Sequence, residues 1–499
     1  MIFLGLDLGT TGVKAAVYDE TGTLLTLSYD VYKKHVAAGK RELMADDIWN
    51  SCEKVLKEAL KEHPGQEKAA FAVSSFGEAF VCMDQDGHVL TPVMLLTDDR
   101  GTKEFESVVA SVGSGKIMDI CGLKPHMSYS ASKILYLKNY CPEQFEKTKY
   151  ILLMEDFIYF KLGGRRYTDY SLASRTMLFD VHKKAWSKEL LDAFGLNEDL
   201  FSQPVQGGTV IGNVLPDVAR QLGFPKDTYL VMGGHDQGCC ALAGRGKESY
   251  TVCSMGTSAC LTPVLTNPLP VEMIRENGFP YEPFLIRDRY ITLAYNVTSG
   301  LLVDWFVKTF AKKEAELGEE VFKILESEMP SAGTRIFVLP YLHGSGTPYL
   351  DPGARLAFAG IDETCSRGDM YKAVLEGLCM DMRLNMESLG GDKFAPQGIL
   401  AVGGGSKSSV WMQMMADILH CPIHLMESSQ AGTLGCAVLG ALAMNVYSSL
   451  HEAVDHMVKM KQTFWPQNQV CAFYDRKYEV YKTLHEDLKK VNDFASREQ

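Results

Sequence analysis

Apolar positions at the start of the chain fall into short continuous runs broken by glycine-rich turns. Ile2 to Leu6 is apolar, Gly9-Thr10-Thr11-Gly12 reads as a turn, and Val13 to Tyr18 is apolar again. A second turn, Asp19-Glu20-Thr21-Gly22, precedes the run Leu24 to Leu27. Short apolar runs between turn residues predict a hairpin followed by a third strand. The period then changes: Ile48, Cys52, Val55 and Ala59 recur at helical spacing, which predicts a helix capped by Asp46 and running through Glu62. Ala69 to Ser74 reads as a strand, and Phe80 to Met83 with Val89-Leu90 as a hairpin around Asp84-Gln85-Asp86-Gly87.

The opening pattern restarts near the middle. "SYTVCSMGTSACLTPV", from Ser249, is again strand, Gly-Thr-Ser turn, strand, with Ser254 where the first copy has Asp7. The restart fits a duplicated fold with a boundary near Gly244 to Lys247. "ILAVGGGSKSSVWMQMMADIL", from Ile399, reads as strand, triple glycine and amphipathic helix, and "QAGTLGCAVLGALAMN", from Gln430, as a helix of small residues that packs closely on a neighbour. Strands alternating with helices indicate an α/β class, and 499 residues exceed one hydrophobic core.

Charge narrows the partner. With 50 basic and 62 acidic residues the formal net charge is -12, and no basic block stands out, so a nucleic-acid partner is not expected. No apolar run reaches the roughly 18 residues of a membrane span, and Asp7 interrupts any leader-like run at the start. The 13 cysteines form no CxxC pair; scattered thiols point to a reducing cytoplasm.

Three motifs carry chemistry. In "DLGTTGVK" the backbone N–H groups of a glycine-rich turn form an anion site, and Thr10, Thr11 and Lys14 add donors and charge. Asp7 repels phosphate directly but suits a Mg²⁺ bound through water between it and the phosphates of a nucleotide; the alternative is a hairpin turn with a local aspartate hydrogen bond. In "VMGGHDQGCCALAG", Asp236 stands at a strand-to-helix junction, where side chains of open α/β sheets reach into clefts. A carboxylate there can take the proton of a hydroxyl attacking a γ-phosphate; the alternative is a helix cap. His235 reads as structural, because nothing near it in sequence supplies a partner. In "GGGSKSS", Gly403, Gly404 and Gly405 allow close backbone approach to a flat ligand, without the spacing of a Rossmann fingerprint or a P-loop.

Together these motifs resemble the FGGY carbohydrate kinase family, within the sugar kinase, Hsp70 and actin superfamily. The resemblance covers nearly the whole length, through "DLGTTGVKA", "GGHDQGCCAL", "SMGTSACL", "GGGSKSSVWMQMMADIL", "TDYSLASRTMLFD", "LPYLHGSGTPYLDPGARLAFAGI" and "AVLEGLCMDMRLNMESL". It implies two ribonuclease H-like domains with a cleft between them: residues 1–246 for the sugar, the first phosphate loop and the catalytic aspartate, and residues 247–499 for the second phosphate loop and adenosine. It implies ATP and Mg²⁺, with Asp7 binding the metal through water, Thr10, Thr11 and Thr257 after Gly256 meeting the phosphates, and Asp236 as general base. Gln237 would help hold the substrate, Gly300 would lie near the nucleotide, and Gly404 and Ser409 would flank the adenosine.

On the sugar side the chain departs from the family pattern. Gly77-Glu78 stands where xylulokinases commonly carry Met-His and glycerol kinases Arg-Glu, so Glu78 matches the glycerol kinase acid without its adjacent arginine. In "LLTDDRG", Asp98 and Arg100 are kept while Leu96 and Thr97 replace Trp and Asn. Glu78, Asp98 and Arg100 are the candidates for sugar recognition; the alternative for the Asp98 segment is a solvated turn. The expected activity is phosphorylation of a hydroxyl of a small ketose or polyol, a ketopentose such as xylulose or a glycerol kinase-like substrate. A non-enzymatic ATPase switch is the alternative of another class. Homodimers are common in the family, so self-association is an expectation as well.

Overall fold

The structure, a computed structural model, describes residues 1–33, 41–246, 250–390, 394 and 396–497. Lys247 and Ser249, at the boundary and restart read from the sequence, lie outside the described residues.

Two sheets form the frame, and their strand orders correspond. In the first, Ile2–Leu8 pairs antiparallel with Gly12–Tyr18, which pairs with Leu24–Val31. On its other side Ile2–Leu8 runs parallel with Lys68–Ser75, followed by Asp227–Val231 and the antiparallel strand Val210–Asn213. In the second, Thr251–Met255 takes the place of Ile2–Leu8. It pairs antiparallel with Ala259–Thr262, which pairs with Ala294–Asn296, and parallel with Ile399–Val402, then Ile423–Met426 and the antiparallel strand Met460–Phe464. The outer antiparallel strand comes before its neighbour in the first half of the chain and after it in the second. The rest of the order is a repeated fold of ribonuclease H type, as the restarted motif implied.

The continuous apolar opening run follows from burial on both faces. Ile2, Leu4 and Leu6 pack with the face of helix Ala45–Leu60 that carries Ile48, Cys52, Val55 and Ala59. Phe3 packs on the other face with Leu434, Val438 and Leu439 of helix Ala431–Ala443. Asp46 is not the cap of the first helix. Met44 holds that position without a side-chain bond, because Ala45 already continues the buried face, and the helix ends at Leu60. The segment Phe80–Met83 does turn back through Asp84 to Val89, but its ladder partner is Tyr150–Leu153.

Helix Ala431–Ala443 comes from the second half and lies against the first sheet, where it crosses helix Asp236–Leu242. Its small residues permit the approach. A methyl at Gly435 would stand 2.0 Å from the Cys239 carbonyl oxygen, and one at Gly5 2.3 Å from that of Thr433. Tyr18 Oη and Thr433 Oγ1 hydrogen-bond at 2.7 Å across the same contact. The C-terminal ends of the central parallel strands of both sheets therefore converge beside this crossing, where ligands bind in open α/β sheets.

Candidate active site

Asp7 projects near the end of the first strand, in register with Lys14 on one side and Ser74 on the other. Ser74 Oγ donates to its Oδ1 at 2.7 Å. Burial pushes the Asp7 carboxyl above the usual range, against Ser74 and Lys14, and among the described residues no lysine or arginine forms an ion pair with it. A methyl at Gly432 would lie 3.1 Å from Asp7 Oδ1, so a side chain on the crossing helix would crowd this oxygen. Such a carboxylate, desolvated and without a cationic partner, has the donor chemistry of a hard divalent cation site. The adjoining turn is closed by Gly9 N–H donating to Gly12 O at 2.9 Å and leaves Thr10 and Thr11 exposed.

The second turn has the same backbone and different chemistry. Ser254 takes Asp7's place, and its Oγ donates to Gln237 Oε1 at 2.9 Å, which leaves the Gln237 amide N–H₂ free to donate elsewhere. Gly256 and Thr257 are exposed. Gly300 N–H donates to Gly256 O at 2.9 Å, and a methyl at Gly300 would stand 2.6 Å from that oxygen, so this helix start seats on the turn only as glycine. Gly403, at φ 92°, packs on the Met255 carbonyl, and a methyl at Gly405 would meet the Met255 and Trp411 side chains at about 3 Å. Gly404 faces open space, with its nearest neighbour 4.0 Å from an added methyl. Ser408 caps the following helix by accepting from Trp411 N–H at 3.0 Å. Ser409 is exposed on its first turn and borders a cavity of about 580 Å³ whose wall does not include Gly404 or Gly405.

Asp236 is the first residue of its helix, with His235 in the capping position and no side-chain cap bond. Its side chain is 32% exposed, and His235 Nε2 lies 3.4 Å from its Oδ1. Burial pushes the Asp236 carboxyl up; His235 pulls it down, and Asp7 and Glu78 push it up again. The reading of His235 as a residue without a partner is corrected here. Glu282, 47 positions away and 1% exposed, accepts from Nδ1 at 2.7 Å. Burial pulls the His235 imidazole down, yet Glu282 and Asp236 outweigh it and lift the ring to about 9.

On the sugar side, Glu78 is buried and held at φ 65°, a left-handed conformation that costs a non-glycine residue about 1 kcal/mol and is found mostly where function requires it. The arginine absent from the neighbouring position is supplied from afar. Arg175 Nε donates to Glu78 Oε1 at 2.6 Å, its second terminal nitrogen binds the same oxygen, and Nη1 lies 3.6 Å from Glu282 Oε2. Asp98 is buried rather than in a solvated turn. Oδ1 accepts Arg100 Nε at 2.7 Å, and Oδ2 accepts Arg100 Nη2 at 2.7 Å and Arg41 N–H at 3.3 Å. Arg100 also binds Glu42 at 2.7 Å. These bonds use the Asp98 lone pairs internally, so it holds Arg100 and is not an open acceptor.

The structure thus joins Asp236, Gln237 and Ser254 into one set and links it to Glu78 through Arg175, Glu282 and His235. Among the described residues neither Asp98 nor Arg100 forms a hydrogen bond or ion pair with Asp236; both Asp98 and Glu78 act on Lys133, a buried amine that desolvation pulls down to about 8. Arg175, Glu282 and Lys133 were not singled out from the sequence. Arg175 lies inside "TDYSLASRTMLFD", whereas Glu282 stands in "YEPFLI" with no motif around it.

The FGGY family of carbohydrate kinases matches through its N-terminal domain at residues 2–243 and its C-terminal domain at residues 251–444. The chain is similar to a xylulose kinase of Bacillus subtilis (strain 168), 27% identical over 98% of this chain and 97% of that protein. It is also similar to a gluconokinase of Bacillus licheniformis, 25% identical over 97% of this chain and 96% of that protein. In fold it resembles a ligand-bound xylulose kinase from Lactobacillus acidophilus, with a TM-score of 0.88 and 23% identity over 98% of each chain. With both family domains matched in order, the chain belongs to the FGGY family of carbohydrate kinases and is an ATP-dependent sugar kinase.

Proposed function

We propose that the chain transfers the γ-phosphoryl group of ATP to a hydroxyl of a ketopentose such as xylulose, with Asp236 as general base. The observation that carries this reading is the partly open Asp236 carboxylate, flanked by the desolvated Asp7 and by His235 where the strand ends of both sheets meet. The sugar hydroxyl gives its proton to Asp236 as its oxygen attacks the γ-phosphorus, and the β–γ bridging oxygen leaves with ADP. Thr10, Thr11 and Thr257, the turn N–H groups and Lys14 meet the phosphates. Gly256 and Gly300 shape the second turn, and Gly404, Gly405 and Ser409 border the nucleoside. Mg²⁺, held by Asp7 through water, would neutralise phosphate charge there.

Gln237, fixed by Ser254, offers its amide to a sugar hydroxyl. Glu78 accepts from another, with Arg175 holding it, and Asp98 holds Arg100 for a further sugar contact. The division between residues 246 and 247 gives the first half the acid–base chemistry and the second the nucleotide. Thirteen free thiols support a reducing cytoplasm, and a homodimer is the expected assembly. Relatives called xylulose kinase support the ketopentose, and the gluconokinase relative makes a sugar acid the second substrate class. The test is ADP release from Mg-ATP across ketoses, polyols and sugar acids, with Asp236→Ala as control. Release with xylulose that the control abolishes supports the reading; release indifferent to every sugar overturns it in favour of an ATPase switch.

A further inference from the structure

Glu282 lies on Tyr281–Pro283, a strand of the second half that docks on the first half through Tyr281 N–H donating to Gly122 O at 3.0 Å. A buried carboxylate is costly unless it is paired. Arg175 alone would supply a pair, and a purely structural Glu282 would sit closest to that guanidinium. It does not: its short contact is to His235 Nδ1 at 2.7 Å, and Arg175 Nη1 stands off at 3.6 Å. The His235 backbone is fixed as well, since its N–H donates to Ser171 Oγ at 3.0 Å and that hydroxyl donates to Asp169 Oδ2 at 2.6 Å. With ring and backbone both held, Nε2 faces Asp236.

We propose that Glu282 is a positioning residue of the phosphotransfer site: by clamping Nδ1 of His235 it turns Nε2 to Asp236 and keeps that carboxylate aimed and ionised. The proposal rests on the reading of Asp236 as the base. It gives the second half of the chain a hold on the base of the first. The charges around the pair agree with it. His235 faces Glu282, Asp236 and Arg175, and burial is outweighed by the two carboxylates, so the ring carries its second proton at neutral pH. Asp236 faces His235, Asp7 and Glu78; burial and the two acids favour its neutral form, and the imidazolium opposes them. Removing the Glu282 charge lets His235 lose its proton, and Asp236 then ionises at higher pH.

The experiment compares wild type, Glu282→Gln, Glu282→Asp and His235→Asn. It reads kcat and KM for ATP and xylulose from about pH 5 to about pH 9, and the imidazole NMR signal of His235 assigned by its loss in His235→Asn. In Glu282→Gln, kcat falls about ten-fold, KM for ATP is unchanged, the acid limb of the rate profile moves to higher pH, and the His235 ring is neutral at pH 7. Glu282→Asp, which keeps the charge, restores the limb. If Glu282→Gln does not fold, His235→Asn decides by the same limb. An unmoved limb, or a lower melting temperature as the sole change, overturns the proposal. Should the wild type turn over no sugar, the ring signal separates the two readings. A ring protonated in wild type and neutral in Glu282→Gln supports the clamp while the base assignment fails; a ring neutral in wild type overturns the clamp.

Discussion

The turn at residues 9–12 and the turn at residues 256–258 sit at the same point of two sheets with the same central order, yet they carry different side chains. The first is preceded by Asp7, half-buried and, among the described residues, in no ion pair; the second by Ser254, spent on orienting Gln237. The first half contributes the carboxylates Asp7, Glu78 and Asp236, and the second surrounds its turn with the small neutral residues Gly256, Thr257, Gly300 and Gly404. Duplication of the fold placed two strand ends opposite each other. Under the proposed function, single side chains give one end the proton and metal chemistry and the other the shape of a nucleotide bed.

The division can be broken one residue at a time. Asp236→Ala should give the largest effect, a loss of about 10³-fold in kcat, with Mg-ATP affinity by calorimetry unchanged. Asp7→Asn should cost about 10²-fold in kcat and steepen the Mg²⁺ requirement, while Ser254→Ala, its counterpart in the other sheet, changes the rate by no more than about three-fold because Gln237 loses one neutral hydrogen bond. Equal losses at Asp7 and Ser254 would erase the distinction between the two turns.

Glycines sharpen the comparison in another way. Gly435→Ala puts a methyl 2.0 Å from the Cys239 carbonyl oxygen at the helix crossing and should destabilise by about 2 kcal/mol, read as a lower melting temperature. Gly404→Ala meets no atom closer than 4.0 Å; it should leave the melting temperature unchanged and raise KM for ATP. Asp98→Asn should destabilise less than Gly435→Ala, by about 1 kcal/mol, because Glu42 still binds Arg100. Burial pushes Asp98 up, but Arg100 and the backbone N–H groups outweigh it and hold the carboxyl below its ordinary value. Its contribution is therefore full at neutral pH and fades as pH falls through that lowered value, so the gap between wild type and variant closes in acid, below about pH 4.

What could be read along the chain was what is built locally. The Gly-Thr turns, Asp236 at its strand end and the small-residue helix from Gln430 each declare themselves within a few positions, because turn geometry and close helix packing restrict residue type on the spot. What was hidden depends on sequence-distant pairs. Glu78 meets Arg175 and His235 meets Glu282 only after the chain has folded, so an adjacent-arginine rule and a search for a neighbouring triad both missed them. The Asp98–Arg100 pair is local, but burial decides its role, and a polar run of Thr-Asp-Asp-Arg gives no sign that its carboxylate will be enclosed. The edge strand Phe80–Met83 shows the same limit, since its hairpin turn was legible and its partner at Tyr150–Leu153 was not.

The central claim is that phosphoryl transfer to a sugar runs through Asp236. The most direct measurement incubates wild type and Asp236→Ala with Mg-ATP and xylulose and identifies the phosphorylated products by mass and ³¹P NMR. The account predicts sugar phosphate and ADP in equal amounts from wild type and neither from Asp236→Ala, which still binds Mg-ATP. Inorganic phosphate in place of a sugar phosphate, or undiminished sugar phosphate from Asp236→Ala, would contradict it.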